Sequence, residues 1–86
     1  MTLVLKPDVT ATDTDDGLVL LDQRTGRYWQ LNRSGATTLR LLLDGFSPEA
    51  TAARLARQHP AASERALADV RTLLAALDRA RLVVTA

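Results

Sequence analysis

The chain has no cysteine, so disulfides and thiolate-held metals are excluded. It has one histidine, His59, beside Pro60. A general base needs an oriented nucleophile within reach, and the sequence suggests none. A histidine at a helix end, interacting with the helix dipole, accounts for it. No set of His and carboxylates has metal-ligand spacing. Asp13, Asp15 and Asp16 superficially resemble a calcium loop but lack the downstream Glu that completes one. The glycines Gly17, Gly26, Gly35 and Gly45 are spread one per turn or helix boundary, so no loop cradles a phosphate. The expectation is a non-catalytic protein that needs no cofactor and no metal. No run approaches the roughly 18 apolar residues of a membrane span. Met1 to Lys6 shows no signal-peptide anatomy, which makes a cytoplasmic location the expectation.

Charge of one sign is also missing. Eleven basic residues stand against ten acidic ones, a net charge of +1 that sets up no large field for nucleic acid. The charges are unevenly spread, however. Asp8, Asp13, Asp15, Asp16 and Asp22 crowd the first quarter, and seven of the eleven basic residues follow from Arg40 onward. Hydrophobic content of 47% with 24% charged residues is that of an ordinary globular chain. At 86 residues one domain, 1–86, is expected. It buries roughly 60–65% of its unfolded surface, enough for one core with little to spare.

Residues 1–8 read as a lead-in, because Pro7 forbids a central-strand position. Val9 to Thr14, rich in β-branched residues, is a first strand. Asp15-Asp16-Gly17 is a turn, with Asp-Gly supplying positive φ. The short apolar run Leu18 to Leu21 is a second strand, central or covered on both faces. Asp22 to Gly26 is a polar hairpin loop ending in a left-handed Gly. Arg27 to Leu31 is the third strand and holds the only Tyr and Trp. Alternation puts Trp29 and Leu31 on one face, Tyr28 and Gln30 on the other.

Asn32 or Ser34 caps a first helix with the apolar face Ala36, Leu39, Leu42 and Leu43, ended by Asp44-Gly45. Ser47-Pro48-Glu49 starts a second helix with a narrow stripe, Ala52, Leu55 and Ala56, ending near His59. Ser63 caps a third, from Glu64 to about Ala80. Its apolar stripe is wider than one neighbour requires. Ala66, Val70, Leu73 and Leu77 form a core face, with Leu67 and Leu74 at its flank. Residues 81–84 end the chain, with a short final strand expected there. The architecture is α+β and winged-helix-like: a three-stranded antiparallel meander followed by three helices, βββααα.

Three functions compete. The second and third helices suit a helix-turn-helix that reads DNA, with Arg65 and Arg71 as contacts. Glu64, Asp69 and an apolar helix surface weigh against it. A meander also leaves strand edges free, and a peptide strand adding to the third strand would pack its side chains against the third helix. The surplus flank Leu67 and Leu74 supplies such a wall, or simply completes the core. The third function is a subunit that only scaffolds a partner enzyme.

The segment from Gly26 to Pro60 carries a distributed pattern: Leu31-Asn32 closing a strand, Gly35, a Leu-rich helix through Leu39 to Leu43, Asp44-Gly45, then Pro48-Glu49. In this pattern and its element order the chain resembles the PqqD-like family, the RiPP recognition elements that bind leader regions of ribosomally made precursor peptides. Its length and its Gly26-Arg27-Tyr28-Trp29 opening resemble most the discrete leader-binding proteins of lasso peptide pathways. The resemblance implies a leader peptide with Tyr-x-x-Pro anchors, added antiparallel to the third strand. It implies delivery to a cysteine protease of transglutaminase-like fold that removes the leader, with the lasso cyclase acting afterwards as a further partner. Carried over by position, Arg27, Tyr28, Trp29, Gln30 and Leu31 provide the edge. Leu67, Val70, Arg71 and Leu74 line the helix wall, and Asp69 holds a polar or basic leader group. No nucleic acid and no membrane take part.

Overall fold

The structure is a computed structural model and describes residues 2–85. Strands β1 (Leu3–Leu5), β2 (Val9–Thr14), β3 (Gly17–Asp22) and β4 (Arg27–Asn32) come first. Helices α1 (Arg33–Leu43) and α2 (Pro48–Gln58), a 3-10 segment (Pro60–Arg65), α3 (Ala66–Arg79) and strand β5 (Val83–Thr85) follow. The expected meander is β2-β3-β4, with β3 central. The class is the expected α+β, with one addition: β1 and β5 form a separate antiparallel pair, Leu3 opposite Thr85 and Leu5 opposite Val83. The lead-in expected over 1–8 (Met1 lies outside the described residues) therefore contains a strand. Pro7 sits in the turn after it, where its missing N–H removes no ladder bond.

Local chemistry accounts for most boundaries. Asn32 is extended and its Oδ1 accepts from the Gly35 N–H at 2.8 Å, capping α1. Ser47 Oγ accepts from Ala50 N–H at 3.0 Å, with Pro48 in the first turn of α2. Gly26 takes φ 74° in the β3–β4 loop, as expected. Gly17, the first residue of β3, takes φ 157°, the positive φ expected of Asp-Gly. It also needs space: a Cβ there would lie 1.9 Å from the Leu31 carbonyl oxygen.

The start of α3 departs from expectation. Ser63 does not cap it. The chain turns through Pro60–Arg65 in 3-10 form, and Ala66 N–H bonds to the Ser63 carbonyl, so the α-helix starts two residues later. Proline at the first position seeds the tighter turn before Ser63 is reached. The end of α3 closes with Leu82 N–H on Leu77 O and Arg81 N–H on Asp78 O, both 3.0 Å. That motif places its next residue in the left-handed region, normally a glycine's place. Arg81 occupies it with φ 61°, a conformation costing a side-chain-bearing residue about 1 kcal/mol.

The core lies between the β2-β3-β4 sheet and the helices. Leu18 and Leu20 of β3 meet Leu39 and Leu42 of α1, and Val70 and Leu77 of α3, with Leu3, Leu82 and Val83 closing one side. Each fully buried leucine contributes about 1.5–3 kcal/mol of transfer free energy. Two threonines join this apolar set, Thr38 and Thr51. Thr38 Oγ1 donates to the Ser34 carbonyl at 2.8 Å, whereas Thr51 Oγ1 is buried with no hydrogen-bond partner among the described residues. Thr51→Val keeps the shape and removes the unmet hydroxyl, so it should raise stability by about 1 kcal/mol in chemical denaturation; a loss of stability would show that the hydroxyl is bonded.

Candidate peptide-binding edge and groove

The free edge of β4 is defined by a hydrogen bond outside it. Gln23 N–H donates to Asp8 O at 2.9 Å, one step beyond the Val9–Asp22 pair. Backbone direction alternates along an antiparallel ladder. Leu21, Val19 and Gly17 therefore turn their N–H and C=O groups to β2, and Leu18, Leu20 and Asp22 turn theirs to β4. Their partners there are Leu31, Trp29 and Arg27. The other residues of β4, Tyr28 and Gln30, present their backbone groups outward, on the last strand of the sheet. Side chains alternate independently of this. Trp29 and Leu31, opposite Leu20 and Leu18, are half-buried on the helix face. Tyr28 lies on the outer face and is 65% exposed. The Arg27 guanidinium sits 5.5 Å from the Trp29 ring centre, a cation–π contact that covers the ring.

Helix α3 packs mainly on α2, and its two ends open onto cavities near the two ends of the sheet. At its start, Ala66 and Asp69 share a cavity of about 320 Å³ with Ser34 and Thr38 of α1, just past the end of β4; Leu55 and His59 complete its wall. At its end, Arg81 shares a small cavity with Asp22 and Arg24, and Asp22 is the cross-strand partner of Arg27, where β4 begins. Helical spacing then assigns faces. Asp69, Leu73, Ala76 and Ala80 form one flank, each exposed or half-buried. Ala66, Val70 and Leu77 form the buried centre. Leu67, Arg71, Leu74 and Asp78 form the opposite flank.

The expected site residues therefore separate. Arg27, Tyr28, Trp29, Gln30 and Leu31 stand together on β4. Asp69 lines the cavity just past the end of β4, with Ser34 and Thr38 of α1. Val70 has none of its surface exposed and offers no wall. Leu74 lines a different cavity, against Leu3, Val83 and Thr85 of the β1–β5 pair. Arg71 reaches Glu49 of α2 at 3.8 Å, and Leu67 follows by phase. The surplus apolar width divides between two neighbours: Leu74 meets the β1–β5 pair, and Leu67 turns with Arg71 toward α2. Leu73, expected in the core face, is half-buried beside the exposed Ala76, at i+4 and i+7 from Asp69. No described helix is long and apolar enough to cross a membrane.

A small α+β domain whose sheet leaves edge strands open is an architecture to which a peptide strand can add. Residues 17–83 match the family described as Coenzyme PQQ synthesis protein D (PqqD). The chain belongs to the PqqD family and is a PqqD-like RiPP recognition element. Its fold superposes with a TM-score of 0.91 on a structure of lasso peptide synthetase B1 complexed with the leader peptide, at 34% identity over 99% of this chain and 100% of that one. It superposes at 0.84 on TbiB1 in complex with the TbiA(beta) leader peptide, at 27% identity over 100% of this chain and 98% of that one. No curated protein matches the sequence.

The two flanks of α3 make distinct predictions. Leu74→Asp places a charge against the second sheet and should lower stability by about 2 kcal/mol in denaturant titration. Ala76→Glu, on the exposed flank, should leave stability within about 0.5 kcal/mol. Equal stability losses would show that α3 is rotated about its axis and buries both flanks alike.

Proposed function

We propose that this protein binds the leader region of a ribosomally made precursor peptide of the lasso type. The leader adds as an antiparallel strand to β4, with Tyr28 and Gln30 supplying the pairing N–H and C=O groups. Its alternate side chains enter the groove between Arg27, Trp29 and Leu31 on one side and Asp69, Leu73 and Ala76 on the other. The observation that carries this is the outward-turned backbone of Tyr28 and Gln30 on the edge strand β4, with a cavity just past the end of that strand. Leader peptides bound to the two similar B1 proteins support it.

The protein does no chemistry on the leader. Main-chain pairing gives affinity with little demand on side chains, and the groove gives selectivity. A held leader is presented at a fixed position to a separate leader peptidase, a cysteine protease of transglutaminase-like fold, and the lasso cyclase acts on the product. Recognition and cleavage are thereby divided between two chains.

Titration with a synthetic leader peptide carrying Tyr-x-x-Pro should change the emission of Trp29, the only Trp. Gln30→Pro removes an outward N–H from an edge strand, where proline is tolerated. It should keep the fold by circular dichroism and weaken binding at least tenfold, about 1.4 kcal/mol. Trp29→Pro removes an inward N–H instead and should damage folding. Full binding by Gln30→Pro excludes strand addition at β4, and no binding by the wild-type protein even at tens of micromolar excludes the leader function itself.

A further inference from the structure

The groove is electrically polarised along its length. At the end where β4 finishes, Asp15 and Asp16 line a concavity of about 670 Å³ with Val19, Gln30 and Leu31, and Asp69 lines the neighbouring cavity. Neither Asp15, Asp16 nor Asp69 makes a salt bridge among the described residues, although the Arg33 guanidinium donates to the Asp15 carbonyl at 3.3 Å. Asp13, next to them, is already paired with Arg40. At the end where β4 starts, the charge is reversed. Lys6, Arg24 and Arg81 surround Asp8 and Asp22, and Arg27 stands across from Asp22. Arg24 alone serves both acids, at 3.9 and 4.0 Å. Lys6, Arg27 and Arg81 make no salt bridge among the described residues.

Arg81 adds an independent observation. Its backbone holds the left-handed position that favours glycine. A side chain placed there against a conformational cost points to a use for its guanidinium.

We infer that the groove selects a leader of matching polarity: basic side chains upstream of the added strand, acidic side chains downstream of it. This rests on the proposed antiparallel addition to β4, which puts the N-terminal part of the leader beside Asp15, Asp16 and Asp69 and its C-terminal part beside Arg27 and Arg81. Opposed charges at the two ends reject a peptide that pairs in the reverse direction, which backbone pairing alone does not do. The charges are exposed, so each end tunes affinity modestly and is weakened by salt.

The test uses fluorescein-labelled synthetic peptides that share a Tyr-x-x-Pro segment. One carries Lys upstream and Glu downstream, one has these exchanged, and one carries Gln at both places. At low salt the first should bind about fivefold tighter than the second, with the third between them. The difference should vanish near 1 M salt, where the screening length is about 3 Å. Asp15→Asn with Asp16→Asn should abolish the gain from upstream Lys and leave that from downstream Glu. Arg81→Gly should do the reverse while raising the melting temperature, a combination that a purely structural arginine would not give. Equal affinity of the three peptides overturns the polarity and leaves strand addition standing. Tighter binding of the exchanged peptide overturns the assigned direction. Binding of none overturns the leader function and this inference with it.

Discussion

The hydrogen bonds of β3 are the constraint on which the site depends. A central strand spends alternate backbone groups on alternate neighbours. Once Gln23 is bonded to Asp8, the outward residues of β4 follow without further choice. The Leu31 carbonyl is held close over Gly17, where any side chain would collide. The absence of one Cβ on β3 thus helps fix the strand that presents the edge. The functional groups at that edge are peptide units, and no reactive side chain is needed to form them.

Helix α3 serves two neighbours. Its buried centre holds the core and Leu74 meets the β1–β5 pair, leaving Asp69 and Ala76 exposed on the other flank. On the far side, Arg71 and Glu49 tie α3 to α2. The groove wall is thereby braced from behind by contacts that a ligand does not touch.

Much of this was legible in the sequence. The three strands of the meander, the caps at Asn32 and Ser47, and the left-handed Gly26 rest on local chemistry and appear where that chemistry puts them. What escaped depends on distant partners. β1 is three residues long and pairs across almost the whole chain with the short final strand β5, so the sequence showed neither β1 nor the pairing. The phase of α3 was ambiguous because leucines lie on both sides of its buried centre; only the location of the second sheet decides which flank is covered. The outward direction of Tyr28 and Gln30 depends on a bond between two residues in neither β2 nor β3. The family pattern, by contrast, was readable because it is made of the local caps and turns.

β4 passes into α1 with no residue between them: the strand ends at Asn32 and the helix begins at Arg33. Asn32 is both the last rung of the ladder and the cap of the helix. A slip of β4 by one residue would exchange its two faces and would also uncap α1. The strand is therefore anchored like a ruler nailed at its zero mark. Any chain laid along it is measured from the same origin.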